Sequence, residues 1–394
     1  MGLQRGLYLI RAEAILTSAF IGMPALALFL GSIGLSQGEI GVSQAIFTIA
    51  LCLVNVPSGW LADRFSRKVC IALGDLLLAG VSFLLPLARS FQAVVILEIL
   101  MGAGYAILGG ADSAILRSYC VRLGRDFGQE TARITTWQGP VQVLYMLIGA
   151  LLVGINPAFA IAAGGVPHLA GAVAALGITE VGARRHGHEG KRGHIKHAIH
   201  DMRYITVYAL HGHKELAWAI LMTAIGQQFS RPISWMAPPI LIAAGVPAPL
   251  IGAAMVLQVL AGSIGVRATR YTLGRWSELR LFILPLTIGL SAMIVLGIVE
   301  FNLITIWCFV ILSMVCMWFD TITPPLVLRH VSEDMSSTVV SVATTFSQLL
   351  YVIAVTIINL VGNISLHWAI LANVLLFGSL TLAVLMKARA FARR

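Results

Sequence analysis

Long apolar stretches separated by short polar ones dominate this chain. They lie at about 7–30, 40–62, 69–88, 91–117, 134–155, 157–179, 216–244, 249–267, 280–299, 303–328, 338–362 and 365–387. Each supplies roughly the 20 mainly apolar residues that an α-helix needs to cross a bilayer. The pattern predicts an all-α membrane protein with twelve transmembrane helices. The first stretch is long, carries Arg11 and Glu13, and has no small-residue cleavage site after it, so it reads as a helix rather than a signal peptide.

Composition agrees with that reading. Hydrophobic residues make up 58% of the chain and charged residues 11%, with a mean hydropathy of +0.89. A soluble domain carries about 25% charged residues, and no aqueous core could bury this much apolar surface. The 27 lysines and arginines then orient the helices. Only Arg89 falls in a loop on one side, and Arg11 and Arg231 lie within helices. All the others fall in the tails or loops of the opposite side, at Arg5, 64–68, 117–133, 184–214, 267–280, Arg329 and 387–394. This asymmetry places both termini in the cytoplasm. The net charge of +10 is thereby a topology signal and implies no nucleic acid. The five cysteines lack CxxC spacing and read as small core or lipid-facing residues.

The loops on the outer side are short, at 31–39, 89–90, 156, 245–248, 300–302 and 363–365. The longest polar stretch, 180–215, divides the chain into a six-helix half at 1–179 and another at 216–394, which suggests an internal repeat. The basic turn at 63–68 corresponds to that at 267–280, and Asp112 in the fourth helix corresponds to Asp320 in the tenth. The linker starts rich in Gly, Arg and His, then places Ile195, Ile199, Met202 and Ile205 at helical spacing. That suits an amphipathic helix at the cytoplasmic interface. Seven of the ten histidines lie in it, and His194, His197 and His200 could share a face and bind a metal. The plainer expectation is a solvated linker with no metal and no cofactor.

The turn after the second helix reads Gly59-Trp60-Leu61-Ala62-Asp63-Arg64-Phe65-Ser66-Arg67-Lys68. It resembles the signature loop of the major facilitator superfamily, Gly-x-Leu-Ala-Asp-Arg-x-Gly-Arg-Lys, with Ser66 in place of the second glycine. The resemblance implies the major facilitator fold, two pseudo-symmetric six-helix halves, and a conformational gate built from Gly59, Asp63, Arg64 and Arg67. Physically, Gly59 lets helices approach closely, and Asp63 can accept from arginine or sit at a helix N-terminus. Asp75, early in the third helix, and Arg117 are expected in the same gating network. The stretch 109–116, Gly-Gly-Ala-Asp-Ser-Ala-Ile-Leu, is similar to a segment of bacterial efflux-type facilitators, although Arg117 and Ser118 replace the Tyr-Asp that usually follows. Gly139-Pro140 and Gly149 resemble part of an antiporter motif whose last glycines are replaced here by Val143 and Leu144.

Ionisable groups at bilayer depth cost roughly 2.5–3.5 kcal/mol each on insertion scales, so each needs a partner or a task. Arg231 lies midway along the seventh stretch, beside Gln227, Gln228 and the helix-breaking Pro232. It can bind a substrate carboxylate or phosphate, or pair with an acid. Arg11 and Glu13 stand two apart on a helix and so face different partners. Glu13, Glu98 and Asp112 are candidate proton carriers, and Asp112 and Asp320 could instead pair with Arg117 and Arg329. No nucleophile–base pair, metal cluster or nucleotide-binding Gly-x4-Gly-Lys-Ser/Thr motif is present, so no enzyme is expected. These features predict a monomeric secondary transporter in a bacterial inner membrane, in contact with lipids. The expected activity is export of a small organic anion, zwitterion or amphiphile against protons. A transporter-like sensor and a proton-coupled importer are the alternatives.

Overall fold

The computed structural model describes residues 2–64, 66–180, 214–329 and 336–392, without the side chains of 24, 56–64, 110, 113, 128, 214, 248, 249, 270, 324, 328, 336–338, 340–342 and 387–392. The linker's amphipathic stretch and its histidines therefore lie outside the described residues. Every regular element among those described is helical. Among the described residues, ten helices or helix pairs are long and apolar enough to cross a membrane. The other two predicted stretches, the first and the seventh, are present as interrupted helices.

The first stretch forms α1 (Gly2–Leu16) and α2 (Met23–Ser32). It is followed by α3 (Gln37–Arg64), α4 (Arg67–Leu84), α5 (Phe91–Leu123), α6 (Phe127–Ile155), α7 (Pro157–Ala163) and α8 (Gly165–Leu176). The seventh stretch breaks into α9 (Lys214–Gln228), α10 (Arg231–Ser234) and α11 (Ala237–Ala243). Then come α12 (Ala248–Thr272), α13 (Glu278–Ile298), α14 (Ile304–Leu328), α15 (Ser336–Gly362) and α16 (Leu366–Ala392).

Several helices run past the apolar stretch that predicts them. Hydropathy ends where lipid ends, whereas a helix ends where its caps are. The fourth apolar stretch ends at 117, yet α5 continues to Leu123, where Gly124 adopts φ 61°. The fifth begins at 134, yet α6 begins at Phe127, where the Asp126 carboxylate accepts from the Gln129 N–H at 2.7 Å. At the start of α3, Ser36 and Glu39 cap each other reciprocally.

By contacts the chain divides into one unit of Met1–Arg185 with Pro247–Val256 and a second of His186–Val246 with Leu257–Arg394. In the first, α5 packs against α3 and α4, and α8 packs against α4 and α1. Small residues permit the close approach: a Cβ on Gly102 of α5 would come within 2.5 Å of the Phe47 carbonyl of α3. In the second, α13 packs on α14 and α16, and α9 on α15 and α14. Its centre is aromatic, with Phe282 stacked on Phe319 at 5.9 Å and Phe229 edge-on to Phe319 at 6.4 Å. Large apolar side chains such as Leu53, Leu151 and Leu375 point outward, the arrangement expected where lipid is the solvent.

Candidate functional site

Both interrupted stretches leave backbone carbonyls without a helical donor, and in lipid each must find another. In the first unit, Gln138 Nε2 donates to the Ala14 carbonyl and Tyr145 Oη to the Leu16 carbonyl, both at 3.0 Å. In the second unit, Asn373 Nδ2 donates to the Phe229 carbonyl at 2.6 Å and Asn359 Nδ2 to the Pro232 carbonyl at 3.4 Å. Arg231 Nε donates to the Gln227 carbonyl at 3.1 Å. The breaks are thus held open by polar side chains from neighbouring helices, and each carries ionisable groups.

At the first break, Glu13 is fully buried and accepts from Thr17 Oγ1 at 3.2 Å, while its Oε2 has no donor. Asp112 of α5 lies within hydrogen-bonding reach of Glu13, and its own Oδ1 has no donor. Asp75 of α4 is fully buried beside them and meets His168 of α8, Oδ1 to Nδ1, at 2.9 Å. Gly171, one turn after His168, makes the room. A Cβ there would stand 2.6 Å from both Asp75 Oδ2 and Thr17 Cγ2. Arg11 turns the other way, to Glu130 of α6, which also receives Arg125 at 3.0 Å and Arg133 at 3.6 Å. Glu98 is buried apart from this group and accepts from Gln44 Nε2 at 2.8 Å.

At the second break, Arg231 Nη2 donates to both oxygens of Asp320 on α14, at 3.0 and 2.9 Å. Arg329 pairs with Glu278 at 3.6 Å. The two side chains of the Arg231–Asp320 pair keep 42% and 27% of their surface exposed, so the pair is held without being sealed. Around it, Gln228 Nε2 donates to Ser347 Oγ at 2.8 Å, and Ser347 Oγ donates to Gln227 Oε1 at 3.0 Å. Trp235 Nε1 donates to Tyr351 Oη at 2.7 Å. Each unit therefore sets an aspartate of its long α5 or α14 helix against an ionisable residue at a helix break. The pairing is acid with acid in the first unit and base with acid in the second.

The sequence profile of the Major Facilitator Superfamily matches residues 14–355. The chain belongs to the major facilitator superfamily. As a facilitator it is a multi-pass membrane transporter and not an enzyme. Its fold is similar to that of the nucleoside transporter NupG, with a TM-score of 0.77 at 13% identity over 98% of this chain and 99% of that one. It is also similar to a bacterial homologue of the human lysosomal transporter Spinster, with a TM-score of 0.73 at 14% identity over 99% and 97% of the two chains. A bacterial homologue of the human drug peptide transporters PepT1 and PepT2 gives 0.70 at 12% identity over the full length of both. At these identities the likeness shows the fold alone. The quinolone resistance protein NorA of Staphylococcus aureus is 25% identical over 89 residues, covering 22% of this chain and 23% of NorA.

In this facilitator the signature loop sits where α3 gives way to α4. The side chains of Gly59, Asp63 and Arg64 lie outside the described residues. Ser66 and Arg67 are described, and they face Glu180. The Ser66 hydroxyl hydrogen-bonds its carboxylate, and the Arg67 N–H donates to it at 2.9 Å. An anion at the N-terminus of α4 also suits the helix dipole. The serine that replaces the second glycine of the motif thus has a partner of its own. The Arg67 guanidinium ties α4 to α5 through Ser118 Oγ at 2.7 Å and the Ala114 carbonyl at 3.1 Å. Arg117 is exposed on α5. Asp75 joins His168 and the Glu13–Asp112 group, while Asp112 meets Glu13 and Asp320 meets Arg231.

Sequence reasoning missed His168, Glu130, Glu180, Asn359 and Asn373. A signal for three of them was present, since His168, Asn359 and Asn373 are polar residues inside apolar stretches. Glu130 and Glu180 stand at stretch edges, where a charge carries no signal.

Proposed function

We propose that this protein is a proton-coupled secondary transporter that exports a small organic anion or zwitterion across a bacterial cytoplasmic membrane by alternating access. On this reading it works as a monomer with both termini inside, and the halves 1–179 and 216–394 exchange the side from which the solute is reached. Arg231 carries the proposal. It is a permanent cation at a helix break, with a planar fork suited to a carboxylate or phosphate. Its ion pair with Asp320 leaves part of both side chains accessible, so a solute anion can reach the guanidinium fork. Gln227, Ser347 and the Trp235–Tyr351 pair offer polar and aromatic contacts beside it. Glu13 and Asp112 are the groups suited to carry a proton. The partial similarity to NorA supports the outward direction.

Arg231→Ala tests the anion site. In proteoliposomes, counterflow of carboxylate- or phosphate-bearing solutes should fall at least about tenfold, the scale expected when a hydrogen-bonded charge partner is lost. Exchange of matched neutral compounds should be spared. Unchanged counterflow of the anions would remove Arg231 from the binding site.

A further inference from the structure

The acidic group in the first unit is unusual in its balance of charge. Glu13 and Asp75 are fully buried. Glu13 Oε2, Asp75 Oδ2 and Asp112 Oδ1 are each enclosed without a donor. Arg11 of α1 is engaged with Glu130, and Arg67 of α4 reaches Ser118 and the Ala114 carbonyl. From α5 the group is faced by Asp112 and by Tyr105, whose ring lies 6.2 Å from that of His168. Glu98 on the same helix is taken by Gln44 of α3. α6 carries one acid, Glu130, already surrounded by arginines. α7, Pro157–Ala163, contributes no titratable side chain. Among the described residues, the imidazole of His168 is the only base bonded to these three carboxyls. Three ionised carboxylates with one imidazolium would bury two uncompensated negative charges, a severe cost in a low dielectric. Two carboxyl groups within hydrogen-bonding reach remove one of those two charges by sharing a proton. The same side chains do not converge as a set of three metal ligands.

We propose that Glu13, Asp75, Asp112 and His168 form one proton-binding site, in which Glu13 and Asp112 share the exchangeable proton and the hydrogen-bonded Asp75–His168 pair governs when it leaves. The proton moves from the carboxyl–carboxylate pair to water, leaving two carboxylates, and returns by the reverse step. Glu13 and Asp112 hold the proton, whereas Asp75 and His168 act on it from beside. This rests on the proton coupling proposed above, with the test chosen to stand apart from it.

The test is an infrared pH titration of the full-length protein in liposomes, following the carbonyl stretch of protonated carboxyl groups, with no solute present. The wild type should show a band that titrates, and Glu13→Gln or Asp112→Asn should each remove it. His168→Gln leaves Asp75 as an uncompensated negative charge, so the band should persist to a pH about one unit higher. Adding Asp75→Asn to His168→Gln removes that charge and should return the midpoint toward the wild-type value. A band that titrates identically in folded Glu13→Gln and Asp112→Asn would overturn the shared proton. A His168→Gln midpoint equal to the wild type would overturn the role of the Asp75–His168 pair. If the band behaves as expected while solute gradients drive no proton flux in proteoliposomes, the coupling reading fails and the site stands.

Discussion

The decisive residues sit in spaces that their neighbours leave for them. Asp75 can approach Thr17 because position 171 has no side chain. Gly171→Ala would put a methyl group 2.6 Å from two heavy atoms, one on α4 and one on Thr17 just past the end of α1. Overpacking of that kind costs about 1–3 kcal/mol. A thermal-unfolding measurement on the purified protein should show a lower Tm for Gly171→Ala, whereas an unchanged Tm would contradict the close packing of α1, α4 and α8. Residue identity was readable here and partnership was not. Arg231, Glu13 and Asp112 stand out in sequence because charge is costly in lipid. Their partners lie 89 residues away in the case of Arg231 and Asp320, and 93 residues apart for Asp75 and His168. Nothing in a hydropathy pattern brings such positions together. His168 hides for a second reason: in sequence it is a lone histidine in an apolar helix, and only the buried Asp75 beside it gives it a task.

At the scale of elements, the helix breaks carry the chemistry. Pro232 marks the seventh-stretch break in sequence because it removes a donor and crowds the preceding turn. The break in the first stretch, between Leu16 and Met23, has no proline at its centre and was not legible. What sustains it is tertiary: Gln138 and Tyr145 of α6 reach the carbonyls that α1 leaves free. The same logic holds in the second unit, where the fully buried Asn373 serves the Phe229 carbonyl. Asn373→Ala should cost about 1–3 kcal/mol, the penalty for a buried acceptor left without a donor. It should also slow exchange of solute, because Phe229 directly precedes the Ser230–Arg231 turn. Wild-type stability with wild-type counterflow would show that the break holds without its cap. Helix ends were legible only as far as lipid sets them. Ser36, Asp126 and Gly124 instead fix the boundaries of α3, α6 and α5 by hydrogen bonding and backbone conformation.

For the whole molecule, charge placement and hydropathy together led to the fold class, since both respond to the same bilayer. Among the described residues ten spans appear, one of them the α7–α8 pair, while the first and seventh stretches break into pieces too short to span. The signature loop pointed to the family that the profile match then established. The two breaks give the molecule two different devices, one acid–acid and one base–acid. On the account proposed here, the first handles a proton and the second an anion, and transport links them. The most direct test places the protein in liposomes that enclose a pH-sensitive dye and adds a panel of carboxylate- and phosphate-bearing solutes with matched neutral analogues. The account predicts that at least one anionic or zwitterionic solute drives protons in the direction opposite to its own movement, and that Glu13→Gln and Arg231→Ala each abolish the signal. If no member of the panel moves protons, or crosses faster than in protein-free liposomes, proton-coupled transport of an anion is contradicted.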